Sequence, residues 1–244
     1  MSYELLKGLG VTQPMTAAVK TEEDALPILE KYGEIVIKPV DGAHGQGVTT
    51  GIREVAEVAG AIRRALEASP VLKIAIAQPQ LPAGALERRV ICIGYKFVTA
   101  IARIPAQVTG DGAHSLGELI EIENATRRSA PYQGELSWID AEMAANFLGE
   151  RIREVPARGE RVRVVGTCNL GQGGTVEDCS ETFGAEERAL AERIAQAAEL
   201  PVVGIDFYDD SVIELNACPS LYYPTGDATE TKAVEAYVEY LNKL

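Results

Sequence analysis

Asp206, Glu214 and Asn216 are hard oxygen donors carried on two short apolar runs, 201–207 and 211–215, that flank the turn Tyr208-Asp209-Asp210. The pattern predicts a hairpin, and because strand side chains two apart share a face, Glu214 and Asn216 point the same way. Three oxygen ligands on neighbouring strands suit one or two magnesium ions holding nucleotide phosphates. The same spacing suits the solvated side of an edge strand. Upstream, Lys38 closes an apolar run and is followed by Asp41-Gly42-Ala43-His44-Gly45-Gln46-Gly47-Val48. A strand-borne lysine supplies a fixed positive charge, and glycines let backbone amides approach phosphate oxygens with no Cβ in the way. His44 adds a hydrogen-bond donor for phosphate. A tight hairpin with a surface lysine would carry the same residues.

Two further stretches can do chemistry. Gln78-Pro79-Gln80-Leu81 follows an apolar run, and its main-chain groups can bond an adenine edge while Ile76 and Leu81 sandwich the ring; an ordinary linker has this composition too. Glu87, Arg88 and Arg89 open the next run, and alternation puts Glu87 and Arg89 on one face and Arg88 on the other. The acid can take ribose hydroxyls, and Arg89 can hold a phosphate or carboxylate bidentately; a surface ion pair is the alternative. Arg103, Arg127 and Arg128 suit an anionic substrate, and equally the solvated arginines of an ordinary loop. His114 reads as structural. The two histidines are too few and too far apart for a zinc site, and no serine or cysteine sits in a GxSxG elbow.

The elements that must position these residues follow from periodicity and punctuation. Helices are expected over 2–9, over 21–32 with Thr21 as cap, over 53–68, over 115–124 with Ser115 and Glu118 as a capping box, over 140–148, 185–199 and 225–244. Strands are expected over 15–19, 34–39, 48–52, 72–77, 161–165 and in two hairpins, 87–93 with 96–104 and the 201–215 pair. The run 72–77 should stop at Gln78, because prolines at 79 and 82 are poorly suited to a continuing central strand. Residues 125–134 turn polar and read as a mobile loop. A second glycine loop spans Asn169-Leu170-Gly171-Gln172-Gly173-Gly174-Thr175. The result is an α+β fold of two hairpin-rich sheets flanked by helices. Its phosphate-type loop lies between antiparallel strands, which together with the missing GxxxxGK[ST] and GxGxxG strings argues against a P-loop or Rossmann unit.

Composition narrows the partners. At 244 residues the chain can bury a full core, and its formal net charge of −13 argues against a general nucleic-acid binder. No apolar run approaches the roughly 20 residues of a membrane span, and no secretion signal opens the sequence, so the expectation is a cytoplasmic protein with no membrane contact. Cys92, Cys168, Cys179 and Cys218 show no CxxC pairing, lie in mostly apolar surroundings and read as reduced core residues, neither zinc ligands nor a disulfide frame.

Taken in order, Lys38-Pro39-Val40-Asp41-Gly42-Ala43-His44-Gly45-Gln46-Gly47-Val48, Val108-Thr109-Gly110-Asp111-Gly112-Ala113-His114-Ser115-Leu116 through Glu118-Leu119-Ile120, the Asn169–Thr175 loop and Glu214-Leu215-Asn216-Ala217-Cys218-Pro219 resemble the ATP-grasp superfamily. More narrowly, they are similar to the ATP-grasp domain of cyanophycin synthetase and of bifunctional glutathione synthetases. The resemblance implies two α+β lobes sandwiching the nucleotide, a smaller covering lobe over about 16–80 and a larger metal- and substrate-binding lobe over about 81–244. It implies ATP as cosubstrate with two magnesium ions, manganese being the alternative, held by Asp206, Glu214 and Asn216. Lys38 would contact the phosphates, and His44, Gly45, Gln46, Gly47 and Val48 would close over them. Gln78, Pro79 and Leu81 would meet adenine, and Glu87 the ribose. Arg89 would face the phosphates or the acyl substrate; Lys38, Arg89 and Asn216 are the expected catalytic residues. The implied activity is formation of an amide bond, through an acyl-phosphate, between carboxylate and amine substrates that are small molecules or peptides.

The sequence departs from that pattern at three places. Gln78 and Gln80 stand where the family carries a glutamate and an aromatic residue, which implies altered adenine affinity. The family's arginine near Val165-Gly166 is missing, Arg161 and Arg163 being nearest. The match also begins almost at residue 1, where these enzymes usually have a preceding α/β domain. A partner chain or a second copy supplying that portion, a compact variant and a fragment are all consistent with this. Two rival functions stay open beside the ligase, a non-catalytic ATP-binding partner or regulatory subunit and an ATP-grasp phosphotransferase.

Overall fold

The computed structural model describes residues 2–42, 45–82, 86–129, 138–166, 168, 170–225 and 229–244. His44 and Asn169, two of the residues singled out above, lie outside the described residues. The chain divides into two compact units, Met1–Ala85 with Phe207–Glu214, and Leu86–Asp206 with Leu215–Leu244.

The first unit runs α1 (Ser2–Gly8), β1 (Ala17–Val19), α2 (Glu22–Tyr32), β2 (Ile35–Pro39), β3 (Thr49–Ile52), α3 (Val55–Ala68) and β4 (Ala75–Pro79). Its strands form one sheet in the order β1-β4-β2-β3 with antiparallel pairing. Helix α2 starts where expected: the Asp24 carboxylate accepts from the Thr21 and Lys20 amides at 2.9 and 2.8 Å, satisfying donors that the first helical turn leaves orphaned. Ile35 and Ile37 alternate into a core with Ala25, Ile28 and Leu29 of α2 and Val58, Ala61, Ile62 and Ala65 of α3. Val36 and Lys38 therefore occupy the face of β2 away from the helices.

One expectation for this unit fails. Strand β4 begins later than residue 72 and continues through Gln78 and Pro79, which pair with Val36 and Ile35 of β2. The physical reason is register. The Gln80 amide donates to the Glu34 carbonyl at 2.9 Å, so Pro79 takes the alternate position, where an N–H would point away from β2. On that side β1 has already ended, its last partner being Ala77. Proline's missing donor leaves nothing unpaired there.

The remaining elements are β5 (Glu87–Ile93), β6 (Lys96–Ile104), β7 (Gln107–Thr109), α4 (Leu116–Ser129), α5 (Ala141–Leu148), β8 (Arg161–Arg163), β9 (Thr175–Asp178), α6 (Ala185–Ala197), β10 (Val202–Tyr208), β11 (Ser211–Asn216) and α7 (Thr229–Leu241); all belong to the second unit except Phe207–Glu214 of the last hairpin. Five strands form a sheet in the order β11-β10-β5-β6-β9, and β7 with β8 makes a separate antiparallel ribbon, so the described residues hold three sheets where two were expected. The β5–β6 turn falls on Gly94-Tyr95, both with positive φ, as a two-residue hairpin of primed type requires. Ile91, Ile101, Val176, Tyr223 and Ala233 fill one side of the large sheet. A third core gathers α4, α5 and the ribbon around Val108, Leu116, Leu119, Ile120, Leu148 and Val162.

Residues 125–129 are helical, not loop. Arg127 bonds Glu123 one turn earlier at 2.8 Å, and two arginines in the last turn suit the helix dipole, so polar composition alone misled. The last helix starts at Thr229 and not at 225; the 161–165 strand ends at Arg163. No helix among the described residues is long and apolar enough to cross a membrane.

Candidate active site

In the first unit the sequence places the glycine loop between β2 and β3, and the structure pairs these strands antiparallel. Lys38 sits on the face away from the helices, directly opposite Ile76 on β4, with Gln78 two residues on and on the same side. Gln78 is 7% exposed and gives its side-chain amide to Thr16 Oγ1 at 2.7 Å. Its main chain is already paired within the sheet, so the residue lies in a strand and not on the connector expected above. Gln80 also ties the sheet together, its Oε1 accepting from the Gly51 amide at 3.1 Å. Leu81 is half-buried, and Gln46 is exposed at the loop. Gly45 and Gly47 have φ of 74° and 72°, a region that suits glycine, and the Val48 amide closes a turn on the Gly45 carbonyl.

The second unit holds a compact cluster of alternating charges. Register sets Glu87 opposite Arg103 and Arg89 opposite Ile101, so all four share one face of the β5–β6 pair. Arg103 Nη1 donates to Glu87 Oε1 at 2.7 Å and to Asp206 Oδ2 at 3.4 Å. Arg89 grips Asp206 bidentately, Nε to Oδ1 and Nη2 to Oδ2, both at 2.6 Å. Arg89 and Asp206 are 8% and 3% exposed, so the cluster is neutral overall and largely out of water. Burial works against the Arg89 charge, but the bonds and field of Asp206 outweigh it and hold the guanidinium more firmly protonated than usual. Arg88 takes the other face as alternation requires, pairing with Glu187 at 2.9 Å and lying over the Phe183 ring.

Two buried groups lie beside this cluster, one of them, Tyr223, not singled out by the sequence. Tyr223 is fully buried, and its hydroxyl has no hydrogen-bond partner among the described residues; burial raises its pKa while the nearby Arg89 charge works the other way. Cys168 is buried too, its thiol pushed up to about 12 by desolvation and then by the Glu87 carboxylate, which makes it a poor nucleophile. Tyr223 carries no motif that could have flagged it; of the four cysteines expected in the core, Cys92 and Cys168 are buried, Cys179 is half-buried and Cys218 is exposed.

The remaining residues sort by what they touch. Arg127 Nη1 donates to the Gly173 carbonyl at 2.8 Å, and a Cβ on Gly173 would lie 2.5 Å from Ile139 Cα. The second glycine loop is thus seated on the 138–139 backbone and held by the end of α4. Asn124 reinforces that seat by exchanging two hydrogen bonds with the Ile139 main chain. Arg128 is exposed and stacks on the Trp138 ring at 4.2 Å. Arg163 folds back to donate to the carbonyls of Val165 and Gly166 at 2.8 and 2.5 Å, so it reaches the stretch where the expected arginine is missing.

A divalent cation was expected on Asp206, Glu214 and Asn216. Among the described residues no cluster of three or more His, Cys, Asp or Glu groups could hold a metal. Glu214 is exposed on β11 and Asn216 half-buried two residues on, with its Oδ1 accepting from the Cys218 amide at 2.9 Å. Both keep suitable donor chemistry. Asp206 is held by Arg89, and a cation there would share its carboxylate oxygens with the guanidinium.

With this geometry in place, the comparisons with known proteins give it a family. Residues 7–130 match the ATP-grasp domain of prokaryotic glutathione synthetase. The chain is 30% identical over 233 residues to cyanophycin synthetase of Crocosphaera subtropica, a match covering 88% of this chain and 26% of that protein. It is 26% identical over 243 residues to the bifunctional glutathione biosynthesis protein of Desulfotalea psychrophila, covering 91% of this chain and 30% of that one. The chain therefore spans only about a quarter to a third of the curated relatives it matches. Among solved structures, the bifunctional glutathione synthetase from Pasteurella multocida superposes with a TM-score of 0.59 at 22% identity over 100% of this chain and 35% of that one. The D-alanine–D-alanine ligase from Bacillus anthracis gives 0.59 at 13% identity over 99% of this chain and 66% of that one. A glycine loop between antiparallel strands, a strand-borne lysine and a family match over half the sequence agree, and the chain belongs to the ATP-grasp family of the prokaryotic glutathione synthetase type.

Proposed function

We propose that this chain forms amide bonds, joining a carboxylate to an amine at the expense of ATP through an acyl-phosphate. The observation that carries the reading is Lys38 beside the glycine loop, on the face away from the helices, opposite Ile76 and on the same side as Gln78. Lys38 and the backbone of Gly45 to Val48 engage the phosphates, and the segment from Gln78 to Leu81 meets the adenine. Glu87 takes the ribose. ATP-grasp ligases use ATP with a divalent cation, which we take to be magnesium.

The chemistry asks little of side chains beyond charge and position. The bond between the γ-phosphorus and its bridging oxygen breaks as a substrate carboxylate oxygen bonds that phosphorus, and ADP leaves. An amine nitrogen then attacks the acyl carbon, phosphate departs with the former carboxylate oxygen, and the nitrogen loses its proton. Bringing two anions together requires positive groups at the phosphoryl oxygens, a task suited to Lys38. Water must be excluded because it would hydrolyse the acyl-phosphate.

The reading is tested by incubating the protein with MgATP and pools of amino acids, dipeptides and small carboxylates, then measuring ADP, phosphate and new amide mass. Substrate-dependent ADP release with a new amide supports the ligase. ADP with a stable phosphorylated product would replace it by a phosphotransferase, and nucleotide binding without turnover by a non-catalytic subunit. Lys38→Ala should raise the apparent KM for ATP and Asn216→Ala should mostly lower kcat.

A further inference from the structure

The glycine loop of the first unit is footed at both ends on the C-terminal turn of α3. At its exit, a Cβ on Gly47 would lie 2.5 Å from the Ala68 Cβ and 3.0 Å from the Arg64 carbonyl oxygen, so the backbone there packs directly on the helix. At its start, the Asp41 carboxylate reaches across 28 residues to Ser69, whose hydroxyl donates to Oδ1. Oδ2 accepts the amides of Val71 at 3.0 Å and Leu72 at 2.7 Å. Ser69 is fully buried, and its Oγ in turn accepts the Lys73 amide at 2.8 Å. Asp41 thus gathers the start of the connection between α3 and β4 onto the first residue of the loop.

We propose that Asp41, held by Ser69, is a positioning residue for nucleotide binding: it fixes the main chain between Lys38 and Gly42 against α3, so that the amides of Gly45 to Val48 are pre-aimed at the phosphates. Asp41 does not itself touch ATP. The inference rests on the ATP-binding role given to Lys38 and the loop above. Its physical basis is preorganisation, since a loop already held in its binding geometry loses less freedom when the ligand arrives. Its carboxyl is held below the ordinary range by the Ser69 hydroxyl first and the Leu72 amide next, which keeps the acceptor charged at neutral pH. Gly42 tightens the same joint, because a Cβ there would lie 2.4 Å from the Pro39 ring.

The experiment is calorimetric titration of the full chain with the magnesium complex of the ATP analogue AMPPNP, alongside thermal melts. Variants are Asp41→Ala, Asp41→Asn, Ser69→Ala and the double Asp41→Ala/Ser69→Ala. Ile28→Val, a core change in α2, serves as a stability control. Asp41→Ala should weaken AMPPNP about tenfold, which corresponds to about 1.4 kcal/mol. Asp41→Asn keeps one acceptor oxygen and should recover part of the loss, and the double variant should be little worse than Asp41→Ala alone. Ile28→Val should melt earlier and bind AMPPNP unchanged. If the wild type binds AMPPNP and Asp41→Ala binds it equally well, the positioning role is overturned while nucleotide binding stands. Losses in Asp41→Ala and Ser69→Ala that simply add in the double variant overturn it as well. If the wild type does not bind AMPPNP, the underlying nucleotide reading fails first.

Discussion

The tetrapeptide Asp-Gly-Ala-His occurs twice, at 41–44 and at 111–114, and the two copies spend their aspartates differently. Asp111 closes on its own turn, accepting the amides of Ala113 and His114 at 2.8 and 2.9 Å and meeting the His114 ring at 2.6 Å. Asp41 holds a turn some thirty residues away. The residues after each copy account for the difference. Beyond 114, Ser115 and Glu118 cap α4 at once, their bonds being 2.8 and 3.4 Å, so the local turn is already fixed and needs only self-closure. Beyond 44 come Gly45 and Gly47, which cap nothing, and the chain must borrow rigidity from α3. An identical motif therefore predicts a hydrogen-bonding aspartate but not its partner.

A third aspartate sets the upper end of the scale. Asp206 differs from both in being buried and matched to two arginines. Asp206→Ala should cost the largest stability loss of any aspartate change, about 3–5 kcal/mol by urea titration, because it strands the Arg89 charge in a dry interior. A loss as small as that of Asp111→Ala would show that Arg89 reaches water, and the ranking by burial would break. Gly47→Ala comes next. It combines overpacking against Ala68 with a positive φ, and should cost about 2 kcal/mol while weakening nucleotide binding. Gly112→Ala sharpens the contrast: its φ of 78° is as unfavourable, but the nearest neighbour to a Cβ is 3.7 Å away. It should cost only about 1 kcal/mol, the backbone share alone. Equal losses at 47 and 112 would mean that the packing of the first loop on α3 is not tight.

How far these features were legible depends on their sequence range. Local devices read directly: the Ser115–Glu118 capping box, the Gly94-Tyr95 turn and the split of Glu87 and Arg89 from Arg88 each rest on residues a few positions apart. The helix that swallowed residues 125–129 was hidden because Arg127 and Arg128 look like loop residues until Glu123 is counted as a partner. The strand through Pro79 was hidden because its tolerance depends on where β1 ends, which no window around residue 79 contains. The candidate site divides the same way. Lys38 and Glu87 were visible as motif members, whereas the Arg89–Asp206 pair joins positions 117 residues apart and the Asp41–Ser69 anchor joins 28. Oxygen donors on a hairpin invite a metal reading; only packing shows that one of them is already held by an arginine.

The smallest effect tests the self-closed copy. The Asp111 carboxyl is held well below its usual range, by the His114 ring first and the His114 and Ala113 amides next. His114 is raised by the same hydrogen bond. For His114, with a folded pKa above the unfolded one, the contribution to stability is fully present below the unfolded value and disappears as pH rises through the folded value. For Asp111, whose folded pKa is depressed, the contribution is present above the unfolded carboxylate value and is lost as pH falls through the folded one. Their joint stabilisation therefore occupies the window between those limits and fades towards alkaline pH first. The His114 and Asp111 side chains are 48% and 41% exposed, so salt should screen it. His114→Gln should flatten the melting temperature against pH on the alkaline side of that window at low ionic strength, with the difference from wild type vanishing in 1 M salt. The Asp41 copy supplies the control: melts of Asp41→Asn should depart from wild type in the same direction at every pH across the histidine range, because no imidazole is needed to hold Ser69, Val71 and Leu72. A histidine-like pH dependence in that difference would show that the two copies share a mechanism, and the contrast between them would not survive.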